Sequence, residues 1–229
     1  MYGTSAACRR PTFIVANTLG VMRFLAAIFR FATSACCFAG TYEIWHLHEF
    51  ASLTYFTFQT VLLLGVVMLW AGAATLLKGI EPPVWLKGCL TLYIVVAGLT
   101  AAFILPAPDP ATPRVFGLMT VTYAHIIVPI AAFVDFLVFD EHRKFQWPYC
   151  LTWLIYIPVY VMGVLIRAAV WPHSGPLKDG TPYPYDFLNL PKIGWTQLGI
   201  NVGEGLAAFL VLGLVMVALD RALPAKLVK

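Results

Sequence analysis

The feature that most limits what this chain can fold into is a repeat of long apolar runs separated by short breaks rich in turn-forming residues. Six such runs cover approximately 18–40, 51–77, 84–105, 115–139, 149–171 and 195–219. Each reaches the roughly 20 residues an α-helix needs to cross the hydrocarbon core of a bilayer. The breaks carry turn chemistry: Lys78-Gly79 and Pro82-Pro83, the run from Pro106 to Pro113, the charged stretch from Asp140 to Lys144, and a long proline-rich loop over 172–194. A backbone in lipid has no water to bond, so each run must satisfy its own N–H and C=O groups. The pattern therefore predicts an all-α polytopic membrane protein, a single bundle of six transmembrane helices over 1–229. Composition agrees: 60% of residues are hydrophobic, 11% are charged and the mean hydropathy is +0.81, well outside the soluble range.

Basic residues set the expected orientation. With the N-terminus inside, nine of the 15 lysines and arginines fall on the inner side: Arg9, Arg10, Lys78, Lys87, Arg143, Lys144, Arg221, Lys226 and Lys229. Only Arg114, Lys178 and Lys192 fall in outer loops, while Arg23, Arg30 and Arg167 lie within spans. This bias predicts a cell-membrane protein with both termini in the cytoplasm. It also accounts for the net charge of +4 without invoking nucleic acid. Arg9-Arg10 ahead of an apolar run has the look of a secretion signal, but Arg23 and Arg30 interrupt that run, so an uncleaved first helix is expected. The five cysteines (Cys8, Cys36, Cys37, Cys89 and Cys150) avoid the outer loops and form no C-x-x-C pair, so neither a disulfide framework nor a zinc site is read.

The fourth run breaks the rule its composition sets. Val115–Phe139 carries His125 near its middle and Asp135 near its end, although an ionisable group at the bilayer centre costs about 2.5–3.5 kcal/mol on insertion scales. Pro129 has no N–H to give the His125 carbonyl, so a kink is expected there. At 1.5 Å per residue, Thr57 lies roughly 9 Å below the outer end of its helix, His125 roughly 15 Å, Arg30 roughly 16 Å, Glu204 roughly 13 Å and Arg167 roughly 6 Å. Five polar groups from five helices then share one layer, and a common polar chamber opening toward the outer leaflet is expected. Asp135 is expected to stand apart, near the inner surface.

Thr57 by itself reads readily as a threonine bonding the carbonyl four residues back. As a nucleophile it needs a base, and His125 is the histidine at matching depth. A neutral imidazole is expected in apolar surroundings, and that is the form a general base requires. Arg30 and Glu204 are expected to pair, in a network with Asn201 and Gln59. Arg30 or Arg167 could instead receive an anionic headgroup or carboxylate, which guanidinium suits by geometry. His46, His48 and Glu49 resemble a metal cluster, but their spacing puts the two histidines on opposite helix sides, so solvated interfacial residues are expected, with neither metal nor cofactor. The segment Tyr183-Pro184-Tyr185-Asp186-Phe187-Leu188 reads as part of an interfacial aromatic belt, or as a lid over the chamber. The G-x-S-x-G elbow, the H-E-x-x-H helix and the phosphate-binding G-x-x-x-x-G-K-[ST] loop do not occur.

Taken together, these motifs resemble a known family. Tyr55-Phe56-Thr57-Phe58-Gln59-Thr60, then His125-x-x-x-Pro129 with Asp135-Phe136, then Arg167 and Tyr183-Pro184-Tyr185-Asp186-Phe187-Leu188-Asn189 are similar to prokaryotic six-span membrane proteins. Those proteins are related to the androgen-induced-gene and androgen-dependent TFPI-regulating (ADTRP) proteins of animals, described as atypical threonine hydrolases of fatty acid esters of hydroxy fatty acids. The resemblance implies Thr57 as nucleophile and His125 as its partner. Val61 stands where the family pattern carries asparagine and Phe136 where tryptophan is common, which leaves open what steadies a developing oxyanion. The implied reaction is acyl transfer: His125 takes the Thr57 proton, the hydroxyl attacks a lipid ester, and water releases the acyl-threonine. Gln59, Asn201 or backbone N–H groups near the kink are candidate oxyanion donors, and the expected partner is a lipid or fatty acyl ester within the bilayer. Two other classes use the same residues: a small transporter or channel for an anionic or lipidic solute, and a non-catalytic lipid-binding protein.

Overall fold

A computed structural model describes residues 13–175 and 180–225, with side chains from residue 20 onward. Arg9, Arg10, Cys8, Lys178, Lys226 and Lys229 lie outside the described residues. The protein is an all-α bundle with six helices long and apolar enough to cross a membrane: Gly20–Gly40, Phe56–Leu77, Val84–Phe103, Thr120–Val138, Tyr149–Val170 and Leu190–Ala222. They are called the first to sixth spans below. The end where the first span begins and the sixth finishes is the base; the other is the head.

Span boundaries move where local chemistry overrides hydropathy. The second span starts at Phe56, because Phe50–Thr54 winds into a tight 3-10 turn. Arg114–Val115 and Leu118–Met119 pair as a two-stranded hairpin with Arg114 opposite Met119, so the fourth span starts only at Thr120. The hairpin turn, Phe116-Gly117, has φ of 49° and 83°, the doubly left-handed geometry that tight two-residue hairpins require. At the other end of the chain, helical structure begins at Leu190 rather than Trp195 and is broken at Gly194, whose φ of 75° a side chain would strain. In the fifth span, Pro158 cannot donate to Leu154, and the bonds there shorten to Leu154 N to Leu151 O and Ile157 N to Leu154 O.

The first span packs along the second on a seam of small residues. A Cβ on Gly65 would come within 2.9 Å of the Cys37 side chain, and one on Gly72 within 2.9 Å of Phe31. Ser34 Oγ donates across that seam to the Gly65 carbonyl at 2.7 Å. Lipid tails are as apolar as leucine, so close backbone approach and interhelical hydrogen bonds supply what solvent exclusion does not. The third span sits between two cores. Leu90, Ile94 and Ala97 join Leu64, Met68 and Val128, whereas Leu92, Tyr93 and Val96 join Trp153, Phe209 and Met216.

Candidate functional site

Thr57 stands in the first turn of the second span, at the head, and is 4% exposed. It lines a cavity of about 460 Å³ with Val96, Ala97, Thr100, Ile157, Val161, Asn201, Glu204, Gly205 and Phe209. The head loop closes the cavity with Tyr185, Phe187 and Leu188. The wall is mainly hydrocarbon and aromatic, of a size and chemistry that suit an acyl chain. The first-turn amides of a helix have no intrahelical acceptor, and here tyrosines meet them. Phe56 N donates to the Tyr160 hydroxyl at 3.1 Å, and that hydroxyl donates to the Thr54 carbonyl at 2.8 Å. The Tyr185 phenol oxygen lies against the same turn, beside the Thr57 hydroxyl and the Phe56 and Thr57 amides. Burial pushes the Tyr185 phenol up to about 12, so it is protonated at neutral pH.

His125 lies in a single wide turn, Tyr123–Ile127, with i to i+5 bonding. Such turns insert an extra residue into a helix and recur at functional sites. The expected disturbance beside Pro129 is therefore present, as a widened turn. The third span covers it closely: a Cβ on Gly98 would lie 3.0 Å from both the His125 carbonyl oxygen and Pro129 Cγ. His125 Nδ1 lies 3.2 Å from the Val121 carbonyl. A carbonyl only accepts, so Nδ1 carries the proton and Nε2 the lone pair. His125 is half-buried and is not part of the wall that holds Thr57.

The other residues singled out in the sequence divide among three places. Asn201 and Glu204 line the Thr57 cavity. Asn201 donates from Nδ2 to the Phe187 carbonyl at 2.8 Å and accepts from Gln197 at 2.8 Å. Gln59 and Arg167 line a neighbouring cavity of about 650 Å³, with Tyr160 on the wall of both. Gln59 donates to the Leu53 carbonyl at 2.7 Å and accepts from the Tyr156 hydroxyl. Arg167 donates to the carbonyls of Pro182, at 3.2 Å, and Ser174. Its guanidinium thus ties the head loop to the fifth span. His46 stacks on Tyr42 at 4.7 Å and His48 is exposed; among the described residues no group of three potential ligands gathers around a metal position.

Arg30 corrects the expected layer. It lies at the base, with Nε 3.0 Å from Asp135, a terminal nitrogen 2.8 Å from Asp140, the other bonded to Thr75 and 3.4 Å from Glu81. Glu204 is not its partner. Depth was measured from Gly40, but the chain continues as the short helix Tyr42–His46, whose Glu43 bonds Thr120 at the head of the fourth span. Six further residues add roughly 9 Å. Asp135 likewise does not stand at a tolerant surface. It is 0% exposed and bonded by both Arg30 and Lys87, and Lys87 also reaches Asp140. The orientation tally treats Lys87 as an inner-side charge, yet it is the fourth residue of the third span and only 6% exposed. The signal for it was available: a lysine inside a run apolar enough to cross requires a carboxylate partner, and Asp135 was the unpaired one.

Sequence reasoning also missed Tyr156 and Tyr160, and it read Tyr185 as part of a belt or of a lid over the chamber. The single-file spacing of Tyr156 and Tyr160 on the fifth span put both on one helix face, a signal that could have directed them inward. No family model matches the chain, and neither a curated protein nor a solved structure does.

Proposed function

We propose that this chain is an integral membrane hydrolase of lipid esters. Thr57 is the nucleophile, His125 the general base, and a fatty acyl chain of the substrate fills the head cavity. The observation that carries the reading is a buried hydroxyl in the wall of a mainly apolar cavity large enough for an acyl group. A hydroxyl there meets a carbonyl carbon that water reaches poorly, and covalent catalysis divides the acyl transfer into two easier steps. His125 supports the assignment through its tautomer, since Nε2, the nitrogen left without the proton, is the basic one. Catalysis requires that nitrogen to come within about 2.6–3.2 Å of the Thr57 hydroxyl, and apo sites are commonly looser than their complexes. The widened turn at Tyr123–Ile127 is the segment that must adjust. The basic-residue bias favours a cell-membrane location with cytoplasmic termini, which would put the head cavity in the outer half of the bilayer.

The test is covalent labelling of the detergent-solubilised protein with an alkyl fluorophosphonate. Wild type is expected to label, while Thr57→Ala and His125→Ala abolish labelling and retain the wild-type melting temperature. Labelling that survives Thr57→Ala would sink the nucleophile. A transporter reading draws on the second cavity, about 400 Å³ at the base, bordered by Arg30, Lys87 and Asp140. It predicts no labelling and solute-coupled flux in liposomes.

A further inference from the structure

An acyl-transfer site needs a donor for the oxygen that becomes negative when the carbonyl is attacked, and the side-chain amides singled out in the sequence are committed elsewhere. Gln59 has its Nε2 on the Leu53 carbonyl and its oxygen under Tyr156. Asn201 has its Nδ2 on the Phe187 carbonyl and its oxygen under Gln197. Among the described residues, Tyr185 from the head loop lies against Thr57 and lines the same cavity. Its phenol oxygen faces the Thr57 hydroxyl and amide, the Phe56 amide being taken by the Tyr160 hydroxyl. A phenol has one O–H and two acceptor lone pairs. With the lone pairs engaged by the helix, the O–H is what it has to offer outward. Ring packing holds the phenol in place, since Tyr185 stacks on Phe187 at 4.9 Å and 8° and meets Tyr55 edge-on at 5.5 Å.

From this arrangement we infer that Tyr185 donates the hydrogen bond that stabilises the oxyanion of the ester attacked by Thr57. The inference rests on the hydrolase reading above and names a further catalytic residue for it. Thr57 Oγ bonds to the carbonyl carbon, its proton passes to His125, and the C=O electron pair moves onto oxygen within reach of the Tyr185 O–H. When the carbonyl reforms, the alkoxide leaves with the proton held by His125. Tyr185 keeps its own proton throughout. A donor next to the nucleophile satisfies the geometric demand of such sites, in which the reacting carbonyl lies about 3 Å from both. The loop then has a chemical role beyond interfacial packing.

The experiment is Tyr185→Phe in the full-length protein in nanodiscs, assayed with p-nitrophenyl octanoate. The substitution keeps the ring on Phe187 and Tyr55 and removes only the hydroxyl. The expected result is a kcat lower by about 10²-fold, the usual effect of losing one oxyanion donor, with KM within twofold and an unchanged melting temperature. A wild-type kcat overturns the inference, as does a loss that comes through a raised KM or a lowered melting temperature. Thr57→Ala, run alongside, reports on the nucleophile alone. If wild type turns over no ester, binding of octylphosphonate decides, because its anionic oxygens occupy the oxyanion position without chemistry. Affinity at least tenfold weaker for Y185F supports the donor role. Equal affinity, or no binding to wild type, overturns it.

Discussion

The base and the head solve the same problem in opposite ways. Both bury polar side chains from several spans. At the base these are full charges, with Arg30 and Lys87 held against Asp135 and Asp140, and nearly every donor has an acid to meet. At the head the groups around Thr57 are mostly neutral hydroxyls and amides facing a mainly apolar cavity, bonded mostly to first-turn amides and loop carbonyls. Charges in lipid tolerate no vacancy, so the base is suited to holding helices in register. Neutral groups can exchange one partner for another at little cost, and that suits the head to receiving a ligand.

The comparison is broken most directly at Asp135. Asp135→Asn leaves two buried cations short of an acid and is expected to cost about 3–5 kcal/mol, read as a lowered melting temperature; a variant that melts like wild type would remove the base's structural role. Gly88→Ala comes next. Its new Cβ would lie 2.7 Å from Phe145 and 3.0 Å from Trp153, overpacking that costs about 1–3 kcal/mol by denaturant titration. Tyr160→Phe at the head removes one hydroxyl between Phe56 N and Thr54 O, for about 1 kcal/mol, and leaves base-directed variants additive with it. The smallest effect is with pH. Tyr185 has a folded value of about 12 against an ordinary 10, so the folded state holds its proton longer than the unfolded one. Its contribution is complete below pH 10 and declines as pH rises toward 12, leaving stability from this group flat across neutral pH. A loss of stability traced to Tyr185 between pH 6 and 9 would contradict that assignment.

The six spans were legible because the hydropathy of each run outweighs every local preference. Their ends were not, since the Phe116-Gly117 turn and the 3-10 turn at Phe50–Thr54 are written in apolar residues. Of the five groups read into one layer, Thr57 and Glu204 do line one cavity, together with Asn201, whereas Arg167 lines its neighbour and His125 lines neither. Arg30 was misplaced because its depth was counted from Gly40, where the helix does end, although the chain runs on past the buried Glu43 toward the head. Tyr185 was read only as part of a belt or a lid, not as a neighbour of Thr57. Its contact with Thr57 depends on where a long loop lands, and no spacing in the sequence encodes that.

The central position of the third span and the sequence positions of the charges bear on how the protein is made. Every partner in the ionic cluster, from Arg30 through Lys87 and Asp135 to Asp140, has been synthesised by residue 140. The fifth and sixth spans and the loop bearing Tyr185 emerge later. A four-span intermediate therefore already carries every partner those ion pairs need, and the loop that covers the head cavity is added last.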